Sequence, residues 1–449
     1  MSQSLSPYLE HYREWALAHP EKIKKLYSQA MADVAASPAK YKNKPVEFLM
    51  QPFFMNTAQW RELDKSTGMM MQLIKKVTDR YLNEPSFRSH FKFSPLLEKM
   101  ILKDPGYRYP VPMSRIDLFY DLKSGHFEFC EINTDGSSGM VEARELQRII
   151  GGSPAMSEID LDPAAIWGGE LLDSWIQAFL ENYRQWHKGE THSLPRVAIV
   201  DVFSGETPAE FIEFQKAFEN RGCPCVIADA RELTLQEGSL KFGDFTIDAV
   251  YRRLVTWEMI ERSDEIQPLI QAVLQDTVCL IGPVRSQIPH NKSFFAILHD
   301  ETATKFLNEK ERAFIRRHVP YTARLDWDNR TLWKQWIDQK DKLIIKPEDR
   351  YASFGVVAGR DVSFHEWREK LEEAAKSQYL VQRYCDVPQL PMMVVEDENV
   401  TFRPFNYLIG CFVYNESFQG PYVRVGSHSI IGSVVECFTV PALVVEEAR

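Results

Sequence analysis

The sequence predicts a chain of mixed class, α/β in its middle and α+β towards its end, behind a helical N-terminal region. Three observations carry this. Apolar residues recur at three- and four-residue spacing through the first hundred positions, the period of a helix buried along one face. From Arg115 the period falls to two, as in strands. Further on, PRVAIVD and CVIADA flank the helical segment PAEFIEFQKAFENRG, an order that builds a small parallel sheet.

Within an N-terminal region of residues 1–110, PYLEHYREWALAHPEKIKKLYSQAMADVA and TAQWRELDKSTGMMMQLIKKVTDRYLN read as helices, with Met69, Met70 and Met71 as core filling. Residues 111–189 open with RIDLFYD and HFEFCEIN, which read as a β-hairpin turning at Lys123-Ser124-Gly125. Helices follow at about Val141–Ile150 and Ala164–Trp186. Residues 190–287 hold the α/β unit, whose first turn, DVFSGETP, lacks G-x-G-x-x-G and so does not support a Rossmann dinucleotide site. Residues 288–449 carry strands KLIIKP, GVVAG, YLVQRYC, MMVVED, NYLIGCFVYN and PYVRVG, with helix HEWREKLEEAA among them.

Bulk properties narrow the function. At 449 residues the chain exceeds one core, and 44% hydrophobic residues suffice for several lobes. A net charge of -10 argues against nucleic acid as a partner. No apolar run is long enough to span a membrane, and the polar N-terminus has no secretory h-region. Seven scattered cysteines suit a reducing cytoplasm, which is the expected location, rather than a disulfide framework. A homodimer is the default expectation for assembly.

The hairpin holds the densest chemistry. With Leu122 paired to His126, Asp117 lies opposite Glu131; Arg115, Asp117 and Phe119 share one face, and Phe129, Glu131 and Asn133 another. Opposed carboxylates repel, and a cation between them removes the repulsion. Asp117, Glu131 and Asn133 form the hard oxygen set that Mg²⁺ prefers, with Arg115 as an anion partner. A solvated hairpin face accounts for any one acid, but less well for the run Thr134, Asp135, Ser137, Ser138 that follows. Farther on, Lys346 ends an apolar strand and precedes a loop with Gly355 and then Gly359, a pattern able to hold phosphate. A lysine snorkelling beside a plain hairpin is the alternative.

In this order the pieces resemble the ATP-grasp superfamily in its circularly permuted form, as in the synthetase domain of glutathionylspermidine synthetase. The resemblance runs through R-x-D…E-I-N-T-D (Arg115 to Asp135), YRR (Tyr251 to Arg253), N-K (Asn291-Lys292), I-K-P (Ile345 to Pro347), V-Q-x-Y (Val381 to Tyr384) and G-x-Y-x-R (Gly420 to Arg424). It implies an ATP-grasp fold with a small Rossmann-like pre-ATP-grasp domain, and an ATP- and Mg²⁺-dependent ligase. Its substrates would be a small-molecule or peptide carboxylate and an amine or polyamine, joined through an acyl phosphate. Residue by residue, it implies Mg²⁺ ligands at Asp117, Glu131 and Asn133, and transferred-phosphate contacts at Arg115 and Arg424. ATP contacts would fall at Lys292, Lys346, Ser353, Gly355, Gln382, Arg383 and Tyr384, and carboxylate contacts at Thr134, Ser137 and Ser138.

The sequence departs from that pattern twice. The phosphate loop reads RYASFG where the family is richer in glycine, and Arg383 stands where an acid is common. Those departures motivate a second reading, a catalytically inactive ATP-binding protein of the same fold. A Mg²⁺-dependent nucleotide-sugar transferase is a third, and it leaves the I-K-P strand unexplained.

Overall fold

The computed structural model describes residues 7–159, 166–188, 194–326, 330–350, 354–396, 399–428, 430–432 and 436–445. Its centre is a six-stranded antiparallel sheet drawn from both ends of the sequence. The hairpin strands Met113–Tyr120 and Phe127–Asn133 form one edge, and the first pairs with the second half of the long strand Asn399–Tyr414. Ser417–Gly426 and then Phe438–Val440 extend the sheet, while Gln389–Glu396 pairs with the first half of the long strand. The buried faces of these strands, with Ile116, Leu118, Phe129 and Ile409, join the main hydrophobic core.

The hairpin sets Asp117 opposite Glu131, as alternation predicts, but by another route than the expected turn. The tip closes one residue away, with the Asp121 amide donating to the His126 carbonyl at 2.8 Å. A bulge then restores the register, since Leu118 pairs with Phe129 and leaves Cys130 unmatched. One consequence corrects the predicted face. Phe129 packs into the core with Leu118, and Cys130 takes its place beside Glu131 on the polar side.

The α/β unit is a four-stranded parallel sheet in the order Cys279–Ile281, Ala249–Arg252, Val197–Asp201, Cys225–Asp229. Three of these strands are buried at every position short of their ends, as continuous apolar runs covered on both faces should be. A separate antiparallel sheet, in the order Thr322–Arg324, Tyr379–Arg383, Leu343–Pro347, Val357–Ala358, is backed by a core that includes Trp336, Trp367 and Leu371.

The N-terminal region is helical, with Pro7–Ala18, Pro20–Ala36 and the 27-residue Thr57–Asn83, but it is not helical throughout. Strand Phe53–Asn56 pairs in parallel with Ala442–Val445, tying one end of the chain to the other. Asn56 ends that strand and starts the long helix. Its side chain accepts from the Gln59 amide at 2.8 Å, and Gln59 accepts from the Asn56 amide at 2.9 Å. A short ribbon pairs Lys40–Tyr41 with Lys44–Pro45. The predicted helix from Ala164 begins at Leu172, and residues 160–165 lie outside the described ones. Among the described residues no helix is long and apolar enough to cross a membrane.

Candidate active site

A cavity of about 1000 Å³ opens where the hairpin, the Leu343–Pro347 sheet, the ends of the α/β strands and the N-terminal ribbon meet. Four cations, Arg115, Arg424, Lys292 and Lys346, stand around the two opposed carboxylates of the hairpin. Arg115 donates to both oxygens of Asp117, from Nε at 2.9 Å and from a terminal nitrogen at 3.1 Å, and its other terminal nitrogen donates to the Ser138 carbonyl at 2.9 Å. Arg424 reaches Asp117 Oδ2 at 2.5 Å, and Lys292 Nζ lies 3.7 Å from Glu131. Lys346 is buried at the cavity wall.

The cations outnumber the carboxylates, and the titration of the site reflects it. Burial opposes ionisation of Glu131, yet Lys292, Lys346, Arg115 and Arg424 hold its carboxyl down at about 2. Burial also works against the Arg424 charge, but Asp117 outweighs it and keeps the guanidinium more firmly protonated than usual. The Nε of Arg424 is buried with no hydrogen-bond partner among the described residues. A surplus of positive charge with an orphaned donor is the environment an anion such as phosphate satisfies.

The turn after Asn133 is fixed by the α/β unit. Arg252 pairs with Asp135 at 2.5 Å, and both side chains are almost fully buried. Asp135 also accepts from the Thr256 amide at 2.5 Å. Arg253 donates to the Ser137 carbonyl and pairs with Glu210 at 3.1 Å. Glu210 in turn accepts from the Gly139 and Met140 amides at 3.0 and 3.1 Å, capping the helix Met140–Leu146. The tyrosine–arginine–arginine stretch therefore clamps the serine turn in place.

Ser137 and Ser138 line the cavity, and the Ser137 hydroxyl donates to the Asn133 carbonyl at 2.8 Å. Thr134 is placed differently. Its hydroxyl donates to the Ser286 carbonyl at 2.6 Å, and it is not among the cavity's lining residues. Gln382, Arg383 and Tyr384 form the cavity wall beyond Lys346. Gln382 donates to the Thr322 hydroxyl at 2.9 Å, and Arg383 turns to Glu128 of the hairpin, an ion pair that uses the side chain differing from the family pattern. Gly355 sits in a turn at φ 73°, and a Cβ there would fall 2.6 Å from the Tyr379 hydroxyl. Gly355 does not line the cavity, and Ser353 lies outside the described residues.

Among the described residues no three His, Cys, Asp or Glu side chains cluster as metal ligands; the hairpin offers two carboxylates and an amide. That donor set still fits a hard divalent cation. The Asn133 amide nitrogen stands between the acids, 3.2 Å from Asp117 Oδ2 and 3.3 Å from Glu131 Oε1, where a positive centre is favoured. Rotating the Asn133 amide exchanges its nitrogen for its oxygen and turns the donor into a third oxygen ligand.

Gly410 escaped the sequence reading, and Tyr422 entered it only as a letter of G-x-Y-x-R, without a role. Gly410 lies opposite Asp117 on the long strand, and a Cβ there would come within 2.9 Å of both Arg115 Cδ and Asp117 Oδ1. The Tyr422 ring lies under both guanidiniums, 5.7 Å from Arg115 and 5.6 Å from Arg424. For Gly410 against Asp117, and for Tyr422 under Arg115, the missing information was contact between residues far apart in the sequence.

No family model matches this chain, and no curated protein does. Among solved structures, the apo form of a glutathione synthetase-like effector, GSS30 from Globodera pallida, matches 95% of this chain and 98% of its own. The TM-score is 0.64 at 12% identity. The chain shares that effector's fold. The macrocyclase MdnC from Microcystis aeruginosa, bound to its precursor peptide, matches 56% of this chain and 90% of its own, at TM-score 0.30 and 12% identity. The D-cycloserine synthetase DcsG covers the same share of this chain and 92% of its own, at TM-score 0.29 and 12% identity. At those scores neither adds to the assignment of fold.

Proposed function

We propose that the chain is an ATP- and Mg²⁺-dependent carboxylate–amine ligase, a circularly permuted ATP-grasp enzyme similar to glutathionylspermidine synthetase. The observation that carries this reading is the crowd of cations around Asp117 and Glu131, with the orphaned Arg424 Nε among them. Lys346 and Lys292 hold the nucleotide's phosphates, and Gln382 to Tyr384 take its base. Arg115 and Arg424 steady the transferred phosphoryl by charge and position. Glu131, Asn133 and Asp117 would hold Mg²⁺, which when bound neutralises phosphate charge.

The serine turn seats the carboxylate that accepts the phosphoryl group. The resulting acyl phosphate is attacked by an amine, giving an amide and phosphate. The substrates are a small carboxylate or peptide and an amine or polyamine.

The reading is tested by incubating the protein with ATP, Mg²⁺ and pools of peptides and amines while following ADP. ADP release that needs both pools, and that Glu131→Ala abolishes, supports it. Tight ATP binding with no turnover across the pools supports the inactive alternative instead.

A further inference from the structure

Glu142 is a carboxylate that the reaction above leaves without a role. It lies four residues after Ser138, in the first turn of the helix Met140–Leu146, and lines the same cavity. Its Oε2 accepts from the Tyr422 hydroxyl at 2.7 Å and from the Thr439 hydroxyl at 3.2 Å. Its Oε1 has no hydrogen-bond partner among the described residues. Tyr422 is the ring lying under Arg115 and Arg424, so one side chain separates this carboxylate from the phosphoryl-holding guanidiniums. Gly139 permits the packing. Its φ of 111° and its approach to Tyr422, where a Cβ would come within 2.9 Å of the ring, exclude a larger residue.

From this placement we infer that Glu142 is the general base of the ligation, taking the proton from the amine as it attacks the acyl phosphate. The inference rests on the ligase reading and deepens it. The amine nitrogen forms the new C–N bond, and the C–O bond to phosphate breaks, its electron pair leaving with the phosphate. An amine that arrives as ammonium gives one proton to Glu142 Oε1, and from there to solvent, as it becomes the attacking nucleophile; the second proton, shed once the C–N bond has formed, leaves with the departing phosphate. The surroundings suit the task. Burial first, and then the neighbouring Glu210 carboxylate, push the Glu142 carboxyl above its ordinary range, despite the Tyr422 and Thr439 hydroxyls and the more distant Arg115. Cys437, the other titratable neighbour, has its thiol raised by burial.

A purely structural role for Glu142, as a prop for Tyr422, is separable by choice of nucleophile. Hydroxylamine at neutral pH is uncharged and captures acyl phosphates as hydroxamates without needing a base, whereas spermidine amines must first lose a proton. The experiment supplies ATP, Mg²⁺ and a pool of short peptides, with either nucleophile. For Glu142→Gln the expected result is loss of spermidine ligation by about 100-fold or more, with hydroxamate formation kept within about threefold. Tyr422→Phe, which keeps the ring but frees Oε2, should show the same split more weakly and serves if the first variant does not fold. The acidic limb of the pH–rate profile should belong to the spermidine reaction and be absent with hydroxylamine. Equal loss of both reactions, or ligation at the wild-type rate, overturns the assignment while leaving the ligase reading intact. A wild-type protein that forms neither product removes both.

Discussion

The two ends of the cavity balance charge in opposite ways. Around the hairpin, Arg115, Arg424, Lys292 and Lys346 face two carboxylates, and the excess is cationic. At the α/β end each arginine has its own acid: Arg231 with Asp229, Arg253 with Glu210, Arg262 with Glu258. Asp201 is left over there, its carboxyl pushed up to about 6, chiefly by burial. One end is therefore prepared for an anion and the other for a cation or a proton. A reaction that joins an activated acid to an amine needs both environments within one enclosure.

The contrast breaks most severely at Asp117. Removing it as Asp117→Ala strands two guanidiniums beside the core, and unfolding in urea should show a loss of about 3–5 kcal/mol. Gly410→Ala should be milder for stability, about 1–3 kcal/mol, because the added methyl meets side chains able to shift. Since those side chains are Arg115 and Asp117, calorimetry should find ATP binding weakened by far more than that stability change suggests.

At the other end, Asp201→Asn sharpens the comparison in the opposite sense. A carboxyl raised from 3.8 to about 6 binds its proton more tightly folded than unfolded. Its favourable contribution is therefore present below the unfolded value and is lost as pH rises through about 6. The substitution should stabilise the protein by about 1–3 kcal/mol at about pH 7.5, and the gain should vanish near pH 4 in parallel thermal melts. The smallest effect is expected from Arg383→Ala. Its ion pair with Glu128 is open on the arginine side, so about 1 kcal/mol or less of stability should be lost, while ATP binding should weaken because the wall that takes the base loses a side chain.

What the sequence disclosed followed from periodicity. The opposition of Asp117 and Glu131 was reached from a turn closed at Leu122 and His126, one residue from the true tip, and it holds because the bulge at Cys130 cancels that offset. The parallel sheet was legible directly, its strands being apolar runs separated by a helix. The bulge at Cys130 carries no local signal; it exists because the tip closes at Asp121 and His126 while the core demands another register. Partnerships across long separations were equally hidden. Nothing near Arg252 and Arg253 says that they hold Asp135 and the serine turn. The side chain of Thr134 gives no hint that Ser286 claims its hydroxyl. The strand Phe53–Asn56 escaped notice within a helical region because its partner lies at the far end of the chain.

In the proposed ligation the cationic end transfers a phosphoryl group to a carboxylate before an amine takes its place. Carrying ¹⁸O in the carboxylates of the peptide pool tests this directly, by mass spectrometry of the phosphate released during ligation. One ¹⁸O atom is expected in each phosphate formed with product, carried over when the acyl phosphate C–O bond breaks. Product accompanied by unlabelled phosphate would contradict it.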